Sequence, residues 1–197
     1  MNALKIFLGG AFFVGIMLFL VGMFVAPKHF NIKRTTTINA PAETVFPYVA
    51  SLEAMDKWSP WSKKDPNMTN TFEGTPGAVG SVNTWDSTVE EVGAGSQTIT
   101  SVTPNKSIQT QLDFIRPYES TSTASVRLKS NAKNTETEVS WGIRGDYSFM
   151  EGLFMMFMDM DAQIGPDFEQ GLATLKTQVE QDNTIISSKD KMPANAN

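Results

Sequence analysis

The chain has 197 residues, 41% of them apolar and 10% aromatic, with 16 Lys and Arg against 21 Asp and Glu, one His and no Cys. Such apolar content predicts a folded domain rather than a disordered polymer, and the absence of cysteine excludes disulfide frameworks, thiol nucleophiles, zinc ribbons and iron–sulfur clusters. The net charge of −5 is uneven: residues 35–197 carry 12 bases and 21 acids, a balance of −9 that argues against a phosphate-neutralising nucleic-acid surface.

In chain order, the first element is an uncharged run of twenty residues from Ile6 to Val25. As a helix rising about 1.5 Å per residue it would be roughly 30 Å long, the thickness of a bilayer core. A cleaved signal peptide has an apolar region of about 7 to 15 residues and a small residue two before its cleavage point. Here the run is longer, and Phe24 stands two before Ala26, so a retained transmembrane helix is expected. Lys5 lies before it and Lys28, Lys33 and Arg34 after it, which leaves orientation open. The small pair Ala11 and Gly15 suits helix pairing. His29 and the basic stretch Lys28–Arg34 are expected at the lipid head groups.

Residues Lys33–Ala40 read as a short strand, and Pro41 with Glu43 reads as the start of a helix carrying Val45, Phe46 and Val49. Pro47 should shorten or kink it. Trp58 and Trp61 then concentrate two indoles, either at the rim of the core or at the mouth of a ligand cavity. Gly74 to Gly80 lacks any phosphate-loop pattern and reads as a turn. From residue 79 the period changes to two, and five or six antiparallel strands are expected, broken at Gly93–Gly95, Pro104–Asn105, Arg116–Pro117 and Ser130–Asn134. Ile108, Leu112 and Phe114, then Ala124, Val126 and Leu128, then Val139, Trp141 and Ile143 each define one apolar face. Trp85 also stands on a strand pattern. Arg116 with Tyr118, and Arg144 with Asp146, fall at strand ends, where they would orient a ligand head or form surface ion pairs.

A sheet dry on one face needs a cover. Apolar residues at steps of three and four from Met150 through Ile164, Phe168, Leu172 and Leu175 to Val179 supply it. Gly165 and Pro166 predict a break between a Met-rich helix ending near Ile164 and a second one running to about Gln181. Residues 150–161 hold five Met and two Phe, and Phe154, Met155, Met156 and Met158 lie off the main stripe. They imply a second apolar surface: a pocket lid, a partner site or a membrane contact. The polar tail from Asn183 reads as disordered.

With His29 outside the domain, neither a histidine-based triad nor a His-ligated metal site is expected. Asp159 and Asp161 point about 200° apart on a helix and cannot share an ion. No catalytic group, metal or cofactor is assigned.

The segment INAPAETVFPYVASLEAMDKWSPW resembles the opening of the START-like (SRPBCC) superfamily, and GSVNTWDS and IGPDFEQGLATLK resemble its polyketide cyclase/dehydratase and lipid-transport branch. The resemblance covers about residues 33–182. It implies an α+β helix-grip fold, a curved antiparallel sheet wrapped around a long C-terminal helix, here preceded by the transmembrane helix. It also implies an apolar cavity for a hydrophobic small molecule or lipid. The expected organisation is an anchor and juxtamembrane linker (1–32), the helix-grip domain (33–182) and a disordered tail (183–197). Candidate ligand-binding residues are Trp58, Trp61, Trp85, Arg116, Tyr118, Trp141, Phe154 and Met158. The expected function is binding, and by extension transport, of such a ligand by a single-pass protein of a bacterial inner membrane. The alternatives are a cyclase or dehydratase using carboxylate or Tyr acid/base groups, and an interaction module docking through its Met-rich face.

Overall fold

The computed structural model describes residues 12–13, 17, 19–20 and 22–189. The described residues form two compact units: the N-terminal residues through Phe30 together with Asp146–Met160, and Asn31–Gly145 together with the chain from Asp161 onward.

The larger unit is built on one antiparallel sheet of seven strands, among the described residues, in the order β1-β7-β6-β5-β4-β3-β2. The strands are β1 (His29–Ile38), β2 (Thr69–Glu73), β3 (Val82–Asp86), β4 (Ala94–Thr103), β5 (Ser107–Arg116), β6 (Ser120–Ser130) and β7 (Thr137–Asp146). Between β1 and β2 lie three short helices, α1 (Ala42–Val45), α2 (Leu52–Asp56) and α3 (Pro60–Lys64), with a 3-10 turn at Phe46–Tyr48. Pro47 does shorten the first helix, holding Phe46–Tyr48 in that tighter turn. After β7 come α4 (Phe149–Met155) and α5 (Met160–Lys189).

The period-two reading holds in β6 and β7, where Ala124, Val126 and Leu128 and then Val139, Trp141 and Ile143 are all buried; of Ile108, Leu112 and Phe114 in β5 only Ile108 is buried, and the other two are half-buried. In β4 the register slips between Ile99 and Ser101, a bulge that bends the strand and helps curve the sheet. The buried stripe of α5, Phe168, Leu172, Leu175 and Val179, covers the dry face as its spacing predicts. Each such side chain contributes about 1.5–3 kcal/mol by leaving water. The edge strand β2 was not expected, because TNTFE contains a single apolar residue and its alternation is correspondingly silent.

Three boundaries differ from expectation. Strand β1 starts at His29 rather than Lys33, since Phe30 and Ile32 extend the alternation. The break near the C-terminal helix falls at residues 156–159, not at Gly165–Pro166, and Pro166 sits inside α5. Arg34 spans the site of the expected break. Its guanidinium donates to both oxygens of Asp161 at 2.8 Å and, through Nε, to Glu169 at 2.7 Å, bridging the helix on either side of the proline. Gly165 makes room: a Cβ there would stand 2.1 Å from an Arg34 nitrogen. Arg34 therefore serves the fold and not a lipid head group, and its guanidinium holds the Asp161 carboxyl below the usual carboxylate range. Finally, residues 183–189 continue α5 where composition predicts disorder. Tyr48 ties down the same helix by donating to Asp182 at 2.6 Å, and burial, then that carboxylate, push its hydroxyl up to about 12. The PANAN tail lies outside the described residues.

In the smaller unit, α4 opens with a capping box in which Ser148 Oγ accepts from the Glu151 N–H and the Glu151 carboxylate accepts from the Ser148 N–H. Gly152 meets the chain at Pro27, and a Cβ there would lie 2.4 Å from its carbonyl oxygen. Phe149 stacks edge-on against Phe19, with ring centroids 5.1 Å apart. His29 contacts Asp146 at 2.6 Å, so Asp146 pairs with the histidine and not with Arg144. Among the described residues no helix is long and apolar enough to cross a membrane. More than half of the Ile6–Val25 run, with Ala11 and Gly15, lies outside them; Phe12, Phe13, Met17, Phe19, Leu20 and Gly22–Val25 are helical.

Candidate functional site

Within the larger unit, the short helices, the sheet and α5 leave a cavity of about 250 Å³. All four tryptophans of the chain line it. Trp58 follows α2, is fully buried, and donates its Nε1–H to the Tyr48 carbonyl at 2.8 Å. That bond satisfies the one polar atom of a ring whose burial would otherwise be penalised. Trp141 of β7 meets Trp58 edge-on at 4.7 Å and leans on Phe168 of α5 at 4.4 Å. Trp61 of α3 closes the cluster, 5.6 Å from both Trp141 and Phe168. The cluster depends on Gly171, where a Cβ would come within 2.5 Å of the Trp141 ring.

The opposite wall is Trp85 of β3, whose Nε1–H reaches the Val92 carbonyl at 3.1 Å and whose ring is T-shaped to Phe114 at 5.8 Å. Its register partner on β4 is Gly95, and a Cβ there would lie 2.7 Å from the indole. A side chain in that position would push the ring off the strand.

Part of the lining is polar: Asp56, Ser59, Ser62, Asn83, Glu91 and Gln97. Asp56 Oδ1 accepts from Ser62 Oγ at 2.5 Å and from Asn70 Nδ2 at 3.0 Å, while Asn83 donates to Asn70. This chain of bonds links α2 and α3 to β2 and β3, so Asp56, Ser62 and Asn83 are held by the scaffold. Among the described residues, no Lys, Arg or His lines the cavity. The two bases of α3 are engaged elsewhere, Lys63 with Thr174 Oγ1 at 3.1 Å and Lys64 with Asp167 at 2.7 Å.

Of the eight candidates read from sequence, Trp58, Trp61, Trp85 and Trp141 meet at one cavity and the other four do not. Arg116 pairs with Asp86 and donates to the Ser87 carbonyl at 3.1 Å, so it fastens the end of β5 to the end of β3. Tyr118 is 75% exposed. Phe154 and Met158 belong to the smaller unit. Asp56, Phe114, Ile164 and Phe168 are lining residues that were not singled out. Phe114, Ile164 and Phe168 sit on the apolar periodicities, where a cavity wall and a packed core look alike. Asp56 carried no spacing signal at all. Among the described residues no group of three or more His, Cys, Asp or Glu is placed to hold a metal ion.

Residues 29–180 match the family described as polyketide cyclase / dehydrase and lipid transport, and the chain belongs to that family. Solved structures show the same fold at low identity. A protein from Nitrosospira multiformis is 15% identical with a TM-score of 0.56, over 79% of this chain and 99% of that one. One from Thermobifida fusca is 17% identical with a TM-score of 0.57, over 77% and 93%. The Aha1 dimer from Colwellia psychrerythraea is 19% identical with a TM-score of 0.53, over 77% and 96%. No curated protein matches the sequence.

Proposed function

We propose that this chain holds a compact hydrophobic molecule in the tryptophan-lined cavity, without transforming it, at a membrane to which its N-terminal segment attaches it. The observation that carries the reading is the convergence of all four tryptophans, from three separate parts of the chain, on one hollow. Aromatic walls with a few fixed polar groups are the usual make-up of a small-molecule site. The family's description, cyclase and dehydrase activity and lipid transport, is in keeping with an apolar ligand.

Size narrows the ligand. An apolar cavity of about 150 Å³ holds one benzene, so 250 Å³ has room for about ten carbon atoms of a compact skeleton. A small ring system or the end of one chain fits; a whole two-chain lipid does not. Native mass spectrometry of the full-length protein, with solvent extraction of what it carries, tests this. A co-purifying compound of that size, or saturable uptake of one, is expected; its complete absence refutes the reading.

Membrane attachment rests on the uncharged run Ile6–Val25 and on the exposure of its described part: Phe12 is 72%, Phe13 65% and Phe24 86% exposed. The proposed organisation is an anchor and linker through residue 32 and a ligand-binding domain to residue 182. A single-pass location in a bacterial inner membrane belongs to the same proposal. Resistance to alkaline carbonate extraction is expected, with residues 1–26 retained; a mature N-terminus near Pro27 rules the anchor out.

One observation favours a second reading, an enzyme of the cyclase or dehydratase type: the hydrogen-bonded Asp56 carboxylate in the cavity wall. That reading requires a bound compound to leave altered in mass or structure after incubation.

A further inference from the structure

The charge of the cavity lining says more about the ligand than its volume does. Asp56 and Glu91 are the ionisable residues among those that line it, and no cationic side chain of the described residues does. Asp56 is fixed in place: Ser62 and Asn70 both donate to its Oδ1, and no hydrogen bond occupies Oδ2 among the described contacts. Two donors on one oxygen set the plane of the carboxylate and leave the other oxygen able to accept from something in the hollow. The nearby bases are held away from the lining, Lys64 by Asp167 at 2.7 Å and Lys63 by Thr174 at 3.1 Å. A ligand carboxylate or phosphate would therefore enter an aromatic, weakly screening space facing like charge, with no counter-ion to replace the water it lost. A hydroxyl or amine meets an acceptor.

Resting on the proposed ligand-binding role of this cavity, we infer that it selects compact ring compounds that are neutral or cationic and carry a hydrogen-bond donor, with Asp56 receiving the donor. Fatty-acid-like anions are rejected.

Saturated bicyclic probes test this, because they are transparent where tryptophan absorbs and all four tryptophans line the cavity. Decahydro-2-naphthol, decahydronaphthalene-2-carboxylate and plain decalin would be titrated into the full-length protein in amphipol, with indole emission as readout. The alcohol is expected to bind at least tenfold more tightly than the carboxylate. In Asp56→Asn, which keeps shape and loses charge, that ratio should fall severalfold while decalin affinity is unchanged. Partition into amphipol is the same for both proteins and cancels in the comparison. If the carboxylate binds wild type as tightly as the alcohol, the inference is overturned and the cavity reading stands. A ratio unchanged in a folded Asp56→Asn protein overturns the role given to Asp56. Should that variant not fold, Glu91→Gln on the exposed loop must by itself improve carboxylate binding, and no improvement overturns the charge argument. If none of the three probes, decalin included, shifts the emission, the proposed function itself fails.

Discussion

The two units of this chain use the same kinds of residue in opposite directions. In the larger, Trp58, Ile99, Ile108, Leu172, Leu175 and Val179 are all at or below 2% exposure, and its remaining apolar surface turns inward to a cavity. In the smaller, Met150 is 68%, Phe154 58% and Phe157 89% exposed, beside an N-terminal segment whose described phenylalanines are exposed as well. Burial in the first follows periodicity, clearest in β6 and in the stripe of α5. In the second, apolar residues surround the short helix α4 on all sides, and a seven-residue helix has no single face that could hide them. Where periodicity is clean, the apolar residues build a core; where it fails, they face outward and need another surface to cover them.

The sharpest way to break that contrast is to remove an inward residue. Trp58→Ala takes a fully buried indole out of the aromatic cluster and strands the Tyr48 carbonyl. A loss of about 3–5 kcal/mol is expected, read from chemical denaturation. A loss under about 1 kcal/mol would mean the cluster is loosely packed and the core reading is wrong. Gly171→Ala probes the same cluster from the helix side. The added carbon would stand 2.5 Å from the Trp141 ring, forcing it toward the cavity. The expected cost is about 1–3 kcal/mol. Tighter cavity walls should also weaken uptake of bicyclic ligands more than they weaken stability.

How much of this could be read from sequence follows the same division. The strands β5, β6 and β7 and the stripe of α5 were legible because one-sided burial writes a period into the residues. The family was legible for a related reason: its segments cover the same elements, and residues 29–180 match its model. The Arg34 bridge was not legible, because Asp161 and Glu169 lie 127 and 135 residues away in sequence and no local pattern joins them. It also spans Gly165–Pro166, where local chemistry alone puts the helix break. The four tryptophans stand out in sequence because tryptophan is rare and large; Asp56 does not, because a single carboxylate is ordinary until its neighbours are known. Arg116 pairs with Asp86, 30 residues away, which is the ion-pair alternative that its strand-end position offers.

Acid should act on the joints of the larger unit. The Asp161 carboxyl is held low by the Arg34 hydrogen bond. For Glu180, burial pulls upward but is outweighed by Lys176 and the Asn39 donors, so it too lies low. A carboxylate whose folded pKa is depressed contributes stability that is full above its unfolded pKa and disappears as pH falls through the folded value. The denaturation midpoint should therefore drop between about pH 5 and pH 3. Arg34→Gln, which releases Asp161, should drop less steeply over that range. An identical slope would show that the bridge does not couple folding to protonation.

The smallest effect on stability is expected from the outward residues, and there the contrast is most informative. Phe157→Ser alters a side chain that is 89% exposed, so denaturation should move by no more than about 0.5 kcal/mol. A buried phenylalanine of the larger unit such as Phe168, at 2% exposure, cannot be changed so cheaply. If the outward residues are turned to a bilayer, their cost appears there instead. The chain has no cysteine, so Phe157→Cys and Lys129→Cys can each carry one fluorescent label without further mutation. In vesicles with brominated acyl chains, the label at 157 should be quenched and the label on the exposed face of β6 should not. Equal quenching at the two positions, or none at either, would leave the exposed Met and Phe residues without a membrane to explain them, and a protein partner would then be the surface to look for.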